Sequence, residues 1–221
     1  MKILVLMRNN FLRRIITYFI GLFLMTIGIA LSVKSNLGVS PVSSIPYTMT
    51  CVWKIEMGKA TILFHCILVV MQIILLRKNF EIKNLLQVVV GIIFGYFTTF
   101  CNWSVAFLHT PESFAIRLLM MLVSTVFIAF GIFLYMPANI MPLAGEGAMK
   151  AITQVTDIDF SKVKVVFDIT MVGVSLVVCF AMLGNIGSVG IGTIIAAILV
   201  GTVHGFITKI LGEKRDIFLE N

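Results

Sequence analysis

Charged residues are scarce in this sequence. Only 12% of its 221 residues are Asp, Glu, Lys or Arg, whereas 59% are hydrophobic, and the mean hydropathy is +1.07. A soluble domain carries about 25% charged residues. Too little polar sequence remains here to enclose the apolar segments inside a water-soluble fold. The composition therefore defines an integral membrane protein.

Motifs for catalysis, metal binding and nucleic-acid binding are also missing. The chain has no GxSxG, HExxH, Walker loop or CxxC, and its four cysteines show no ligand spacing. The net charge of +7 forms no basic stripe with interleaved aromatics. We therefore expect no enzyme, no cofactor, no metal and no nucleic-acid partner. The alternative that Asp168 and two histidines bind a metal rests on residues that are far apart in the sequence.

Six apolar runs are long enough to cross a bilayer. Three are uncharged (15–33, 118–136 and 189–207), and three contain one or two polar residues (61–76, 85–100 and 165–183). A hydrocarbon core of about 30 Å needs about 20 such residues in a helix. We expect an all-α protein with six transmembrane helices in a single transmembrane domain over residues 1–221.

Basic residues lie mostly on one side of these six spans. Thirteen of the 17 flank the ends that include both termini. The positive-inside rule therefore predicts that both termini are cytoplasmic. Trp53 and Trp103 lie on the outer side of this arrangement, where an aromatic belt is expected.

The two halves of the chain resemble each other. A shift of 103 residues places Gly28 on Gly131 and Asn36 on Asn139, and a shift of 106 places Gly95 on Gly201. The repeats cover about 12–104 and 115–211. Each holds three spans, so the second half must cross the membrane in the opposite sense. Inverted repeats of this kind are frequent in secondary transporters.

Matching spans of the two repeats also carry small residues at four-residue intervals, which allow close helix approach. These residues are Gly91, Gly95 and Thr99 in the third span, and Ala197, Gly201 and Gly205 in the sixth.

The segments that follow the first and fourth spans are too apolar for solvated loops and too short to span. In the first, Ser40 and Pro41 are typical of a helix N-cap and first position, and predict a short helix over 42–53. In the second, Gly145 and Gly147 are among the expected helix breakers, with a short helix over 148–153. We expect broken or re-entrant half-helices, because irregular backbone at membrane depth must line a cavity or be buried in protein.

Two half-helix N-termini in matching positions would aim positive dipole ends at a shared centre. This predicts a site for a group with hydrogen-bond acceptors or negative charge. The alternative is that both segments are surface turns that seal the helix ends. The candidate substrate-binding residues are Asn36, Ser40, Pro41, Ser43, Ser44, Asn139, Gly145, Glu146 and Gly147.

Ionisable side chains within spans are costly and mark functional positions. Asp168, His65 and His204 are therefore candidates for proton or ion coupling. The alternative for Asp168 is neutralisation by Lys164, four residues earlier on the same helix face.

Several stretches resemble the YczE/YitT group of bacterial membrane proteins, and its YczE-like branch most closely. They are NLGVSPVSSIPY (36–47), GKATILFHCILVVMQ (58–72), GEG (145–147), SKVKVVFD (161–168) and GIGTIIAAILVG (190–201). The resemblance implies a multi-pass protein of the bacterial inner membrane and supplies no substrate or catalytic residue. The loop at 187–192 is less charged here than is usual in the group.

These observations predict a small secondary transporter or permease-like protein for a small polar or anionic substrate, with a homodimer as a possible assembly. The alternative is a non-transporting membrane partner that helps to assemble or localise another complex. Convergence of Asn36, Ser40, Glu146 and Asp168 on one polar cavity would favour transport.

Overall fold

The described part of the chain folds into eight α-helices. A computed structural model describes the backbone of residues 2–107 and 110–220, and side chains over 11–107 and 110–219. In chain order the helices are α1 (Lys2–Ser35), α2 (Pro41–Trp53), α3 (Met57–Leu76), α4 (Leu86–Ser104), α5 (Phe114–Tyr135), α6 (Ala144–Thr156), α7 (Phe160–Leu183) and α8 (Ile191–Glu220). Two short 3₁₀ segments, Arg77–Asn79 and Ile82–Leu85, join α3 to α4.

Among the described residues, six segments are long and apolar enough to cross a membrane, which confirms the predicted number of spans. They are Phe11–Ser35, Met57–Asn79, Ile82–Ser104, Phe114–Tyr135, Phe160–Leu183 and Ile191–Leu219. The last helix extends well beyond the predicted end at residue 207.

The remaining two helices, α2 and α6, have 13 residues each. Each is therefore about 20 Å long, which is too short to cross a bilayer. The start of α2 at Pro41, directly after Ser40, agrees with the sequence prediction. Ser40 makes no side-chain capping bond to the helix.

The start of α6 corrects the sequence analysis, because Gly145 and Gly147 lie inside the helix and do not break it. Gly147 lies where α6 meets α3 and α4. A Cβ there would be 2.7 Å from Gln87 Nε2 and 2.8 Å from Gln72 Oε1. The glycine therefore permits close packing of helices, a requirement that the local sequence does not reveal.

Antiparallel packing of α1 against α5 forms the centre of the fold. The backbones approach closely at Gly21 and Gly131, where neither helix has room for a side chain. About two turns further, Ser124 Oγ donates to the Gly28 carbonyl at 2.7 Å. The buried side chains around this contact, including Tyr18, Leu22 and Tyr135, form the main core.

Two arginines join the ends of these central helices. Arg14 Nε, near the start of the first span, donates to the Ala138 carbonyl just beyond α5 at 3.0 Å. Arg117 Nε, near the start of α5, donates to the Ser35 carbonyl at the end of α1 at 2.7 Å. Each arginine places a cation at the negative end of the partner helix, where it is electrostatically favourable.

Replacement of Arg117 by alanine is expected to lower the thermal unfolding midpoint by roughly 5 °C, because carbonyl groups at the end of α1 lose a charged donor. Thermal unfolding of the purified protein in detergent, followed by circular dichroism, measures this change. Lys59→Ala, at an exposed lysine, is the matched control and should leave the midpoint unchanged. Equal midpoints for the two variants would contradict a stabilising role for Arg117.

The outer helices pack unequally around this centre. α2 packs on α7, α6 packs on α3, and α3 packs tightly on α4. Within the described residues, however, α7 and α8 make no extended contact with each other. No described atom lies within 4 Å of a Cβ placed at Gly201 or Gly205 on α8. The last two spans, α7 and α8, are therefore separated from each other, although each packs on other helices.

Candidate functional site

The first turns of α2 and α6 meet inside the bundle. A Cβ placed on Gly145 would lie 3.5 Å from Val42 Cγ1, so the two short helices touch near their N-termini. Both starts border a cavity of about 280 Å³, hereafter the central cavity. This volume is just below the roughly 300–1,000 Å³ of pockets that hold drug-sized ligands. The space therefore suits a small molecule.

Eight of the twelve candidate residues line the central cavity. Apolar side chains contributed by all eight helices form most of the remaining wall. The eight are Ser40, Pro41, Ser43, His65, Gly145, Glu146, Asp168 and His204.

The other four candidates lie elsewhere. Asn36 is exposed, and its carbonyl accepts a hydrogen bond from Arg117. Ser44 is buried against α7, where it accepts a hydrogen bond from Ser175 Oγ at 2.9 Å. Gly147 packs against α3 and α4, and Asn139 lines a different cavity. Of the four residues whose convergence would favour transport, three reach the central cavity and Asn36 does not.

The hydroxyl groups at the start of α2 form a pair. Ser40 Oγ donates to Ser43 Oγ at 3.0 Å, and both residues are partly exposed at the cavity wall. Ser43 keeps its own hydroxyl hydrogen free to bond a group in the cavity, because it accepts from Ser40.

His65 lies on the α4 side of the central cavity. Its ring is 4% exposed and stacks on Phe94, with centroids 5.7 Å apart and planes at 10°. Its Nδ1 has no hydrogen-bond partner in the part of the chain that the structure describes. A buried nitrogen without a hydrogen-bond partner destabilises the fold. Such nitrogens are therefore rare, and those that occur often lie at sites that bind a ligand or transfer a proton.

Asp168 is already paired. Lys164 Nζ lies 2.7 Å from Asp168 Oδ2, which confirms the pairing predicted from their spacing on one helix face. Asp168 Oδ1 is buried and has no partner among the described residues. The pair carries no net charge, so Asp168 is a weaker candidate for binding a coupling proton than its position suggested.

Glu146, in the first turn of α6, has a different environment. Its carboxylate accepts a hydrogen bond from the Tyr135 hydroxyl, and no ion pair involves it among the described side chains. Burial raises the pKa of Glu146, although hydrogen bonds from Tyr135 and the Leu143 main chain and the charge of Lys164 act in the opposite direction. Tyr135 was not among the candidates, and a tyrosine at the end of an apolar run gives no sequence signal of this contact.

A second cavity of about 220 Å³ lies beside the first, and is hereafter the side cavity. Its lining includes Asn139 and Lys150. Three side chains, Met136, Glu146 and Phe160, line both cavities. Glu146 is the acidic group of this shared wall.

This architecture defines a multi-pass helical membrane protein whose two short helices begin at a largely apolar internal cavity. The chain belongs to the family of unknown function DUF6198, whose model matches residues 12–209. It is 26% identical over 201 residues to the uncharacterized membrane protein YczE of Bacillus subtilis (strain 168), covering 90% of this chain and 87% of that protein. The resemblance to the YczE-like branch is thereby confirmed. No solved structure matches the chain.

Proposed function

We propose that this protein is a small secondary transporter or permease-like protein of the bacterial cell membrane, with both termini cytoplasmic. Its substrate is a small polar or anionic molecule that occupies the central cavity. The observation that carries the proposal is the unequal packing of two otherwise equivalent helix pairs, α3 with α4 and α7 with α8.

The proposal requires that the two halves are related as inverted repeats, and side-chain contacts support this relation. A shift of 103 residues converts the Arg14–Ala138 hydrogen bond into the Arg117–Ser35 hydrogen bond. The same shift places Gly21 on Ser124 and Gly28 on Gly131. The close contact between Gly21 and Gly131 therefore corresponds to the contact between Ser124 and Gly28. Left-handed backbone at Asn36 and Lys54 recurs at Asn139 and Asp157.

Helix packing supports the same relation. When the first four helices are exchanged with the last four, the α2–α7 contact becomes the α6–α3 contact. The α1–α4 contact likewise becomes the α5–α8 contact. The α3–α4 contact breaks the pattern, because its counterpart α7–α8 is open. In alternating access, two inverted halves adopt different conformations and then exchange them.

Atomic detail identifies the residues that would meet in the exchanged state. In the closed pair, a Cβ on Gly58 would lie 3.0 Å from Thr99 N, so these backbones are in close contact. The equivalent residues of the open pair are Ser161 and Gly205. Exchange of the two conformations would bring these residues together.

A disulfide tests this exchange directly. Ser161→Cys with Gly205→Cys, in a background free of the four native cysteines, is expected to cross-link efficiently on oxidation in native membranes. A disulfide requires Cα atoms about 4.4–6.8 Å apart, which only the closed α7–α8 pair would supply. The cross-link is measured by a mobility shift on reducing and non-reducing gels.

Lys162→Cys with Gly205→Cys is the matched control, because residue 162 lies about 100° around the helix from residue 161. Equal cross-linking of both pairs, or of neither, would contradict the exchange. The substrate itself is sought by untargeted comparison of metabolites in deletion and overexpression cells, followed by vesicle uptake. Absence of any metabolite difference would favour the alternative of a non-transporting membrane partner.

A further inference from the structure

We propose that Glu146 carries the coupling proton of this transporter, binding it from one of the two cavities and releasing it into the other. This inference rests on the proposed transport function. It moves the coupling role from Asp168, His65 and His204, the candidates of the sequence analysis, to the acidic residue in the wall between the cavities.

The position of Glu146 is the first argument. Its side chain lines both the central and the side cavity, whereas Asp168 and His65 line only the central one. A carboxyl group that contacts two compartments can exchange a proton with either. The side cavity also contains Lys150, an exposed residue.

The partners of Glu146 are the second argument. The Tyr135 hydroxyl donates a hydrogen bond to one carboxylate oxygen of Glu146, but a neutral donor does not neutralise the charge of the carboxylate. Lys164 of α7 makes no ion pair with Glu146 and is paired with Asp168 at 2.7 Å, although its charge still lowers the pKa of Glu146. A partly buried carboxylate without a cationic partner gains most from binding a proton.

Other titratable groups face the same region from each neighbouring helix. The Tyr18 hydroxyl of α1 is occupied, because it donates to the Met141 carbonyl at 2.7 Å. The remaining groups are Tyr135 of α5, Lys150 of α6 itself, His65 of α3, Lys164 and Asp168 of α7, and His204 of α8. None of them forms an ion pair with Glu146 among the described side chains.

Proton binding has a structural consequence. A proton from water forms an O–H bond on the carboxylate and removes its charge, and the reverse step returns the proton to water. In the occluded state between the two exchanged conformations, both the α3–α4 and the α7–α8 pairs are closed. Water is then removed from the central cavity, and a dry cavity disfavours an ionised carboxylate. The protonated form therefore favours the closed α7–α8 pair, and the ionised form favours the open pair.

Spin labels at exposed positions of α7 and α8 test this linkage without a known substrate. Val166→Cys and Thr202→Cys are both exposed and leave the small-residue surface of α8 intact. In the full chain in liposomes, the fraction with a short interlabel distance is expected to rise as the pH falls. Since burial raises the pKa of Glu146, the midpoint should lie above the usual carboxyl range.

Glu146→Gln mimics the protonated acid and is expected to keep the short distance at every pH. Glu112→Gln, at an exposed acid that lines neither cavity, is the matched control and should retain the pH dependence. A distance that changes with pH equally in Glu146→Gln and in the unsubstituted chain would overturn the inference and leave the transport proposal intact.

Infrared spectroscopy detects protonation of Glu146 independently of helix movement. The protonated acid gives a carboxylic C=O band that is expected to disappear as pH rises, to be absent from Glu146→Gln and to persist in Glu112→Gln. If labels stay fixed at every pH, alternating access fails and the coupling role fails with it. If labels move but the band is unaffected by Glu146→Gln, only the coupling role is overturned.

Discussion

Gly131→Leu is expected to abolish accumulation of the folded protein. A Cβ at residue 131 would lie 2.6 Å from the Gly21 carbonyl oxygen and 2.8 Å from the Met25 amide nitrogen. Both obstacles are backbone atoms of α1, so no side-chain rearrangement can relieve the clash. Overpacking of this kind costs about 3 kcal/mol or more. The measurement is the yield of monodisperse protein by fluorescence-detected size-exclusion chromatography of a fusion with green fluorescent protein.

The matched control is Gly173→Leu in α7. This position is also a glycine within a span, but no described atom lies within 4 Å of its Cβ position. The substitution should leave the yield close to that of the unsubstituted protein. A similar loss in both variants would mean that the α1–α5 approach has no special importance.

The second large effect is expected at the central cavity. Replacing Ser40 and Ser43 together with alanine removes two hydroxyl groups from its wall and leaves no hydroxyl unpaired, because these side chains bond to each other. If each contributes about 1 kcal/mol to substrate binding, vesicle uptake should fall about thirtyfold at low substrate concentration. Uptake of the metabolite identified in cells is the measurement.

Thr202→Ala provides the comparison for this double variant. Its exposed hydroxyl donates to the Ile198 carbonyl of its own helix, at 2.9 Å, and does not line the central cavity. Uptake should be unchanged by this substitution. Normal uptake by the serine double variant at normal expression would count against the first turn of α2 as part of the substrate site.

The spans and the start of α2 could be predicted because their signals are local. Long apolar runs gave the number of spans, and Ser40 followed by Pro41 marked a helix start. The predicted start of α6 was wrong because glycine has two opposite roles. It weakens an isolated helix, but it lets two packed helices approach closely. The contact of Gly147 with Gln72 and Gln87 decides between these roles, and it depends on distant parts of the chain.

Only part of the candidate site could be predicted from the sequence, because the rest also depends on contacts between distant parts of the chain. Ser43 and Ser44 are equivalent in the local pattern, but one residue turns a helix by about 100°. Ser43 therefore lines the central cavity, whereas Ser44 bonds Ser175 on α7. The separation of α7 from α8 was equally invisible, because the stripes of small residues on α4 and α8 look alike in the sequence.

The arginine contacts between α1 and α5 have a consequence for biogenesis. Arg14 and the Ser35 carbonyl both belong to the part of the chain that leaves the ribosome first, whereas Ala138 and Arg117 belong to the later part. After translation of the first three spans, neither contact can form. Insertion of the early spans must therefore precede their assembly, and the nascent chain needs a protected environment until α5 arrives.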